Sequence, residues 1–266
     1  VSMDRIDTSV AHPARRYNYW LGGKDHFAAD RASGDAIAAA WPSAPIAARE
    51  NRHFLGRAVR FLAGEAGIRQ FLDIGTGLPT AGNTHEVAQA VDPTARVVYV
   101  DNDPMVMVHA RALLTSAPEG RTAYLEADLR DPGRILAHPD LRATLDFTRP
   151  VGLMLVAVLH FIHGEGAGAP IVRELLAALP AGSYLVASNA TKDFLPPQIA
   201  QVYDRMLAAG QTDIWPRTGA EFGALFEGLT LVDPGVVAVH EWRPDTAPDP
   251  ALTPADVSVY GAVGRL

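Results

Sequence analysis

Three aspartates close or follow short apolar runs: Asp73 within residues 70–74, Asp101 at the end of 96–101, and Asp128 just past 122–126. The first run leads into Gly75-Thr76-Gly77-Leu78-Pro79-Thr80, where two glycines let the backbone approach a ligand and adopt conformations closed to other residues. The dinucleotide pattern G-x-G-x-x-G is incomplete, because Thr80 stands at its third glycine position. A carboxylate ending the second strand, about 25 residues beyond a glycine turn, is placed to accept hydrogen bonds from both hydroxyls of a ribose. Three carboxylates around that turn would repel a diphosphate and suit a nucleoside carrying a cationic substituent.

His160 follows the most apolar run of the chain, at the edge where a histidine of near-neutral pKa can take a proton from a nucleophile. The competing reading is a histidine hydrogen-bonded to a neighbouring loop, or one in contact with a cofactor. His163, before Gly164, has the weaker claim. Neither stands near carboxylates at a metal-binding spacing, so no metal is expected. Asp103 precedes Pro104 and reads as a helix N-cap rather than a ligand contact, and Asp131 before Pro132-Gly133 reads as a turn residue.

The elements that must position these residues alternate in type. Strands are expected at 70–74, 96–101, 122–126, 151–159 and 183–188, with two late strands near 229–239 and 257–263. Helices are expected at 80–91, from Pro104 to Leu114, at 169–179 and from Ile199 to Gly210. Short links between strand and helix mean a doubly wound α/β sheet of seven strands, mostly parallel, whose ligands lie beyond the carboxyl ends of the strands. Ahead of it, 46–62 is a helix with Phe54, Leu55, Ala58, Val59 and Leu62 on one face. The expected division is a helical cap over 1–60 and a core over 61–266.

Composition narrows the class. The 266 residues are 48% apolar, enough for a substantial core, and carry a net charge of −7, which argues against a nucleic-acid partner. Residues 1–60 hold nine basic and six acidic side chains, so the remainder is strongly acidic. Lysine occurs only at Lys24 and Lys192 among 23 basic residues. Without cysteine there is no disulfide, zinc-thiolate or iron–sulfur chemistry. The longest apolar run, 151–162, is shorter than the roughly 20 residues of a membrane span, and a cytoplasmic location is the default expectation.

Phe71 to Thr80, Val100-Asp101-Asn102-Asp103-Pro104 and Ala127-Asp128-Leu129 resemble motifs I, II and III of class I S-adenosylmethionine-dependent methyltransferases. More narrowly, Arg16-Tyr17-Asn18-Tyr19-Trp20-Leu21-Gly22-Gly23-Lys24-Asp25-His26-Phe27 and Ala48-Arg49-Glu50-Asn51-Arg52-His53-Phe54-Leu55 resemble the N-terminal signatures of an actinobacterial S-adenosyl methyltransferase family. That resemblance implies a Rossmann-like methyltransferase core with S-adenosylmethionine as cofactor and S-adenosylhomocysteine as product. Residue by residue, it implies that Asp73 meets the methionine amino group and that Gly75, Thr76 and Gly77 form the floor beneath it. Asp101 would take the ribose hydroxyls, Asn102 would lie beside the adenine, Asp128 would accept from its exocyclic amine, and the Leu129 amide would face a ring nitrogen. The segment from Ala157 to Phe161 would lie under the sulfonium and the acceptor.

In the N-terminal segment, Tyr17, Tyr19, Trp20 and Phe27 stand beside Arg15, Arg16 and Lys24. Aromatic faces such as Tyr17 can receive a sulfonium or an adenine, and Lys24 or an arginine can meet the cofactor carboxylate. The expected activity is methyl transfer to a small molecule at O, N or C, with a cofactor-binding regulator as the alternative. A nicotinamide oxidoreductase is disfavoured by Thr80 and the carboxylates.

Overall fold

A computed structural model describes residues 6–113, 115–247 and 249–266. Three helices lead: α1 (Pro13–Trp20), α2 (Ala28–Ala40) and α3 (Ala44–Gly64). The sheet and its helices follow as β1 (Gln70–Ile74), α4 (Thr84–Val91), β2 (Arg96–Asp101), α5 (Pro104–Leu113), β3 (Arg121–Glu126), α6 (Pro132–Leu136), α7 (Pro139–Thr144) and β4 (Gly152–Leu155). Then come α8 (Gly168–Ala177), β5 (Tyr184–Ala190), α9 (Pro197–Ala208), α10 (Gly219–Gly223), β6 (Thr230–Leu231), β7 (Val237–Ala238), α11 (Pro254–Val257) and β8 (Val259–Arg265). Leu114, the expected last residue of α5, lies outside the described residues.

The sheet runs β3-β2-β1-β4-β5-β8-β6, with β7 also paired to β8. β1 to β5 are parallel and β8 is antiparallel to β5. The chain winds outward from β1 in one direction through β2 and β3, and from β4 in the other, so the crevice opens between β1 and β4. Side chains alternate along each strand into two cores. Leu72 and Ile74 join the layer containing Leu153, Leu175 and Phe222, whereas Phe71 joins Phe54, Leu62 and Trp242 of the opposite layer. The apolar face of α3 is thus a wall of the core, and the helix continues through residue 60 to Gly64.

Three expected elements differ from the sequence reading. α4 starts at Thr84 rather than Thr80, because Asn83 and Glu86 form a capping box there. β4 stops at Leu155, and Ala157 takes a left-handed backbone (φ 55°) before a short 3-10 turn at Leu159–Phe161. The expected strand near 229–239 is two short strands, giving eight among the described residues. Pro234 has no N–H for a ladder, and the Gly235 N–H closes a turn onto Val232 O (2.9 Å). No helix among the described residues is long and apolar enough to cross a membrane.

Candidate active site

A cavity of about 810 Å³ lies at the carboxyl edge of the parallel strands, walled by the ends of β1 to β5 and by α1, α3 and α9. Asp101 is aimed by backbone donors: Gly77 N–H reaches one carboxylate oxygen (2.9 Å) and Asp103 N–H the other (2.9 Å). Burial pushes its carboxyl up against the pull of those two donors. Asp73 is buried and accepts a hydrogen bond from the Thr84 hydroxyl (2.6 Å). Burial raises its carboxyl to about 6, a rise limited by Thr84 and the nearby Arg52. Gly75 is required twice over: its φ is 76°, and a Cβ there would lie 2.3 Å from Val158 Cγ2.

On the β3 side, Asp128 is half-buried and already engaged. Arg130 donates to it from its backbone (2.8 Å) and guanidinium (2.9 Å), and Asn102 Nδ2 donates at 3.1 Å. Partial burial pushes its carboxyl up, but these donors outweigh that and hold it below the usual range. Asn102, Asp128, Leu129 and Arg130 all line the cavity, as do Asp73, Gly75, Thr76, Gly77 and Asp101. Asp103 is the N-terminal acceptor of α5, bonded to Met105 N–H (2.9 Å), and its second oxygen faces His12 (3.1 Å) and Arg15 (3.6 Å). Asp131 caps α6 through Arg134 N–H (3.1 Å).

Tyr17 and Ala157 are joined by a hydrogen-bond chain no local pattern announces. Ala157 N–H donates to Ser188 Oγ (2.8 Å), which donates to Asn51 Oδ1 (2.6 Å). Asn51 Nδ2 donates to the Tyr17 hydroxyl (3.0 Å), which donates to Ala48 O (2.8 Å). The left-handed Ala157 costs roughly 1–2 kcal/mol, and this chain holds it against β5 and α3 while tying α1 down. His160 also lines the cavity, with Nδ1 facing Ala190 N–H (3.4 Å). Burial lowers its pKa to about 3, below the near-neutral value expected from the sequence.

One other expectation shifts. Lys24 is exposed and is not among the residues lining the cavity, because the turn at Gly22-Gly23, tied to Asn18, carries it away. Lys192 pairs with Asp204. The cation the cavity does contain beside Asp73 is Arg52, donating to Asn83 Oδ1 (3.1 Å) while its Nε is buried with no hydrogen-bond partner among the described residues. Arg52 was visible only as part of the Ala48 to Leu55 signature. Arg16 binds Asp213 through Nη2 (2.7 and 2.8 Å), joining α1 to the segment after α9. Buried Arg217 staples the turn after β4 to β5, donating to Leu159 O (2.8 Å), Asn189 Oδ1 (2.8 Å) and Ile162 O (3.0 Å).

The comparisons with known proteins agree with this geometry. A family model described as S-adenosyl methyltransferase matches residues 1–266. A solved structure of a DUF574 family protein from Streptomyces avermitilis is 53% identical, covering 98% of this chain and 99% of that one at a TM-score of 0.93. Another, a candidate methyltransferase from Thermobifida fusca, is 46% identical over 97% and 96% of the two chains at a TM-score of 0.88. An O-methyltransferase family protein from Burkholderia thailandensis, 14% identical over 79% of this chain and 54% of that one, shares the fold at a TM-score of 0.51. No curated protein matches the sequence. With the family model spanning every residue and the strand-end carboxylates gathered in one cavity, this chain belongs to the S-adenosyl methyltransferase family, and is a methyltransferase that uses S-adenosylmethionine.

Proposed function

We propose that the enzyme moves the methyl group of S-adenosylmethionine to an O, N or C nucleophile of a small molecule, with the cofactor over β1 to β3 and the acceptor beyond β4. The observation that carries this reading is the pairing of two buried carboxylates, Asp73 and Asp101, within a cavity that continues past the β4 turn to α9. Asp101, fixed by two backbone N–H groups, has its remaining lone pairs for the two ribose hydroxyls. Asp73 beside Arg52 offers an anion and a cation to the amino and carboxylate ends of the methionine moiety, and the unpartnered Arg52 Nε fits such a carboxylate. Gly75, Thr76 and Gly77 form the floor; Asn102, Asp128 and the Leu129 backbone serve the adenine. Residues 1–60 act as the cap, with Tyr17 held over the site through Asn51.

When bound, the cofactor's sulfonium supplies an already activated methyl group, which leaves alignment and water exclusion as the protein's share. The turn from Val156 to Phe161 serves that alignment, since it lines the cavity and is pinned by Ser188 and Arg217. Formation of S-adenosylhomocysteine with a panel of phenols, amines and carbon acids tests the proposal. Turnover with any of them supports transferase activity; tight cofactor binding without turnover across a broad panel would point to a regulatory binder instead.

A further inference from the structure

The far half of the cavity has a chemical character that narrows the acceptor, on the basis of the methyl-transfer reading above. α9 has no fully buried residue, yet Ile199, Val202, Tyr203 and Met206 on one face are half-buried and line the cavity. An apolar helix face turned into a cavity rather than into a core is completed by an apolar occupant. Trp20, Trp41 and Phe161 line the same cavity from the N-terminal helices and the β4 turn, broad surfaces that favour a flat ring.

Most polar groups at this end are already engaged, although Arg16 Nε is buried with no hydrogen-bond partner among the described residues. Both Asp213 oxygens are held by Arg16, the Tyr203 hydroxyl donates to Ile214 O (2.7 Å), and His163 Nε2 meets Asp213 O (2.7 Å). The Arg16–Asp213 pair is already neutral, so a molecule of net charge would add an uncompensated charge to an otherwise apolar wall, whereas a neutral oxygen can accept from the free Arg16 Nε at no such cost. His160 accepts from Ala190 N–H at Nδ1 (3.4 Å), so its neutral ring carries its hydrogen on Nε2 and has no free lone pair for the acceptor's proton, in line with the lowering of its pKa by burial; the nucleophile must release its own. We infer that this half of the cavity accepts an uncharged, ring-bearing molecule whose nucleophile is an acidic hydroxyl of the phenol type. In the transfer the acceptor's oxygen forms a bond to the methyl carbon as the carbon–sulfur bond breaks. That bonding pair leaves with sulfur as a neutral thioether, and the hydroxyl proton passes to water.

The test is equilibrium binding of three probes with one ring and different charge, 2-naphthol, 2-naphthoate and 2-naphthylmethylammonium, to protein saturated with S-adenosylhomocysteine. 2-Naphthol is expected to bind at least tenfold more tightly than either ion. Val202→Arg should weaken it at least tenfold while the affinity for S-adenosylhomocysteine changes less than twofold. Tighter binding of either ion, or indifference of 2-naphthol to Val202→Arg in a variant that still binds S-adenosylhomocysteine, would overturn the inference. If the variant loses S-adenosylhomocysteine as well, the charge series on the unaltered protein decides alone. Failure of the unaltered protein to bind S-adenosylhomocysteine would instead sink the underlying reading of the site.

Discussion

The half of the cavity over β1, β2 and β3 and the half under α9 are built by different means. In the first, the buried carboxylates are placed by groups close to them in sequence: Asp101 is oriented by N–H groups from Gly77 and Asp103, and Asp73 by Thr84 from the following helix. In the second, placement depends on side chains arriving from far along the sequence. Arg217 holds the β4 turn, Arg16 reaches Asp213, and Asn51 reaches Ser188. Local backbone geometry makes the carboxylates of the half over β1 to β3 a property of the fold, whereas the half under α9 is assembled by a few long-range contacts that can be changed without altering the sheet.

The largest expected effect of breaking one half is on stability. Arg217→Met would leave two backbone carbonyls and the Asn189 side chain without their buried donor. The expected loss is about 3 kcal/mol or more, read as a fall of roughly 6–12 °C in the thermal midpoint. An unchanged midpoint would mean that the β4 turn is held by other contacts.

Asp101→Ala should cost about 1.5–3 kcal/mol in cofactor affinity, tenfold or more by calorimetry. Unchanged affinity would remove the ribose assignment and much of the contrast between the halves.

A gentler perturbation uses pH. With Asp73 raised to about 6, the folded protein binds a proton that the unfolded chain has released above its ordinary carboxylate pKa. Its contribution to stability therefore falls as pH rises from about 4 to about 6. An ammonium ligand prefers the ionised form, so affinity for S-adenosylhomocysteine should rise with pH and level off above about 6, approaching tenfold weakening per pH unit below it. Asp73→Asn should flatten the dependence, and a wild-type profile already flat between pH 5 and 7 would contradict it. Smallest of all, exposed Lys24→Ala should change cofactor affinity less than twofold in the same titration.

The same contrast explains what the sequence made legible. The parallel strands, the glycine turn and the aspartates at strand ends follow from apolar runs and local spacing, and Asp103 and Asp131 read as caps because proline follows each. Arg52 and Lys24 sit in equally recognisable segments, yet nothing local says that α3 turns one toward Asp73 while the Gly22 turn, at φ 78°, carries the other into solvent. The early end of β4 was hidden for a similar reason. An apolar run continues through Leu159, and only the distant Ser188 hydroxyl shows why the chain leaves the sheet at Ala157. His160 is a titration matter: its residue type suggested a near-neutral imidazole, and burial by neighbours contributed from elsewhere in the chain lowers its pKa to about 3.

The division of labour between the two halves is tested most directly by titrating S-adenosylhomocysteine into Asp101→Ala and Val202→Arg side by side. The expected result is at least a tenfold loss in the first and less than a twofold change in the second. Equal losses, or a larger loss in Val202→Arg, would contradict the division.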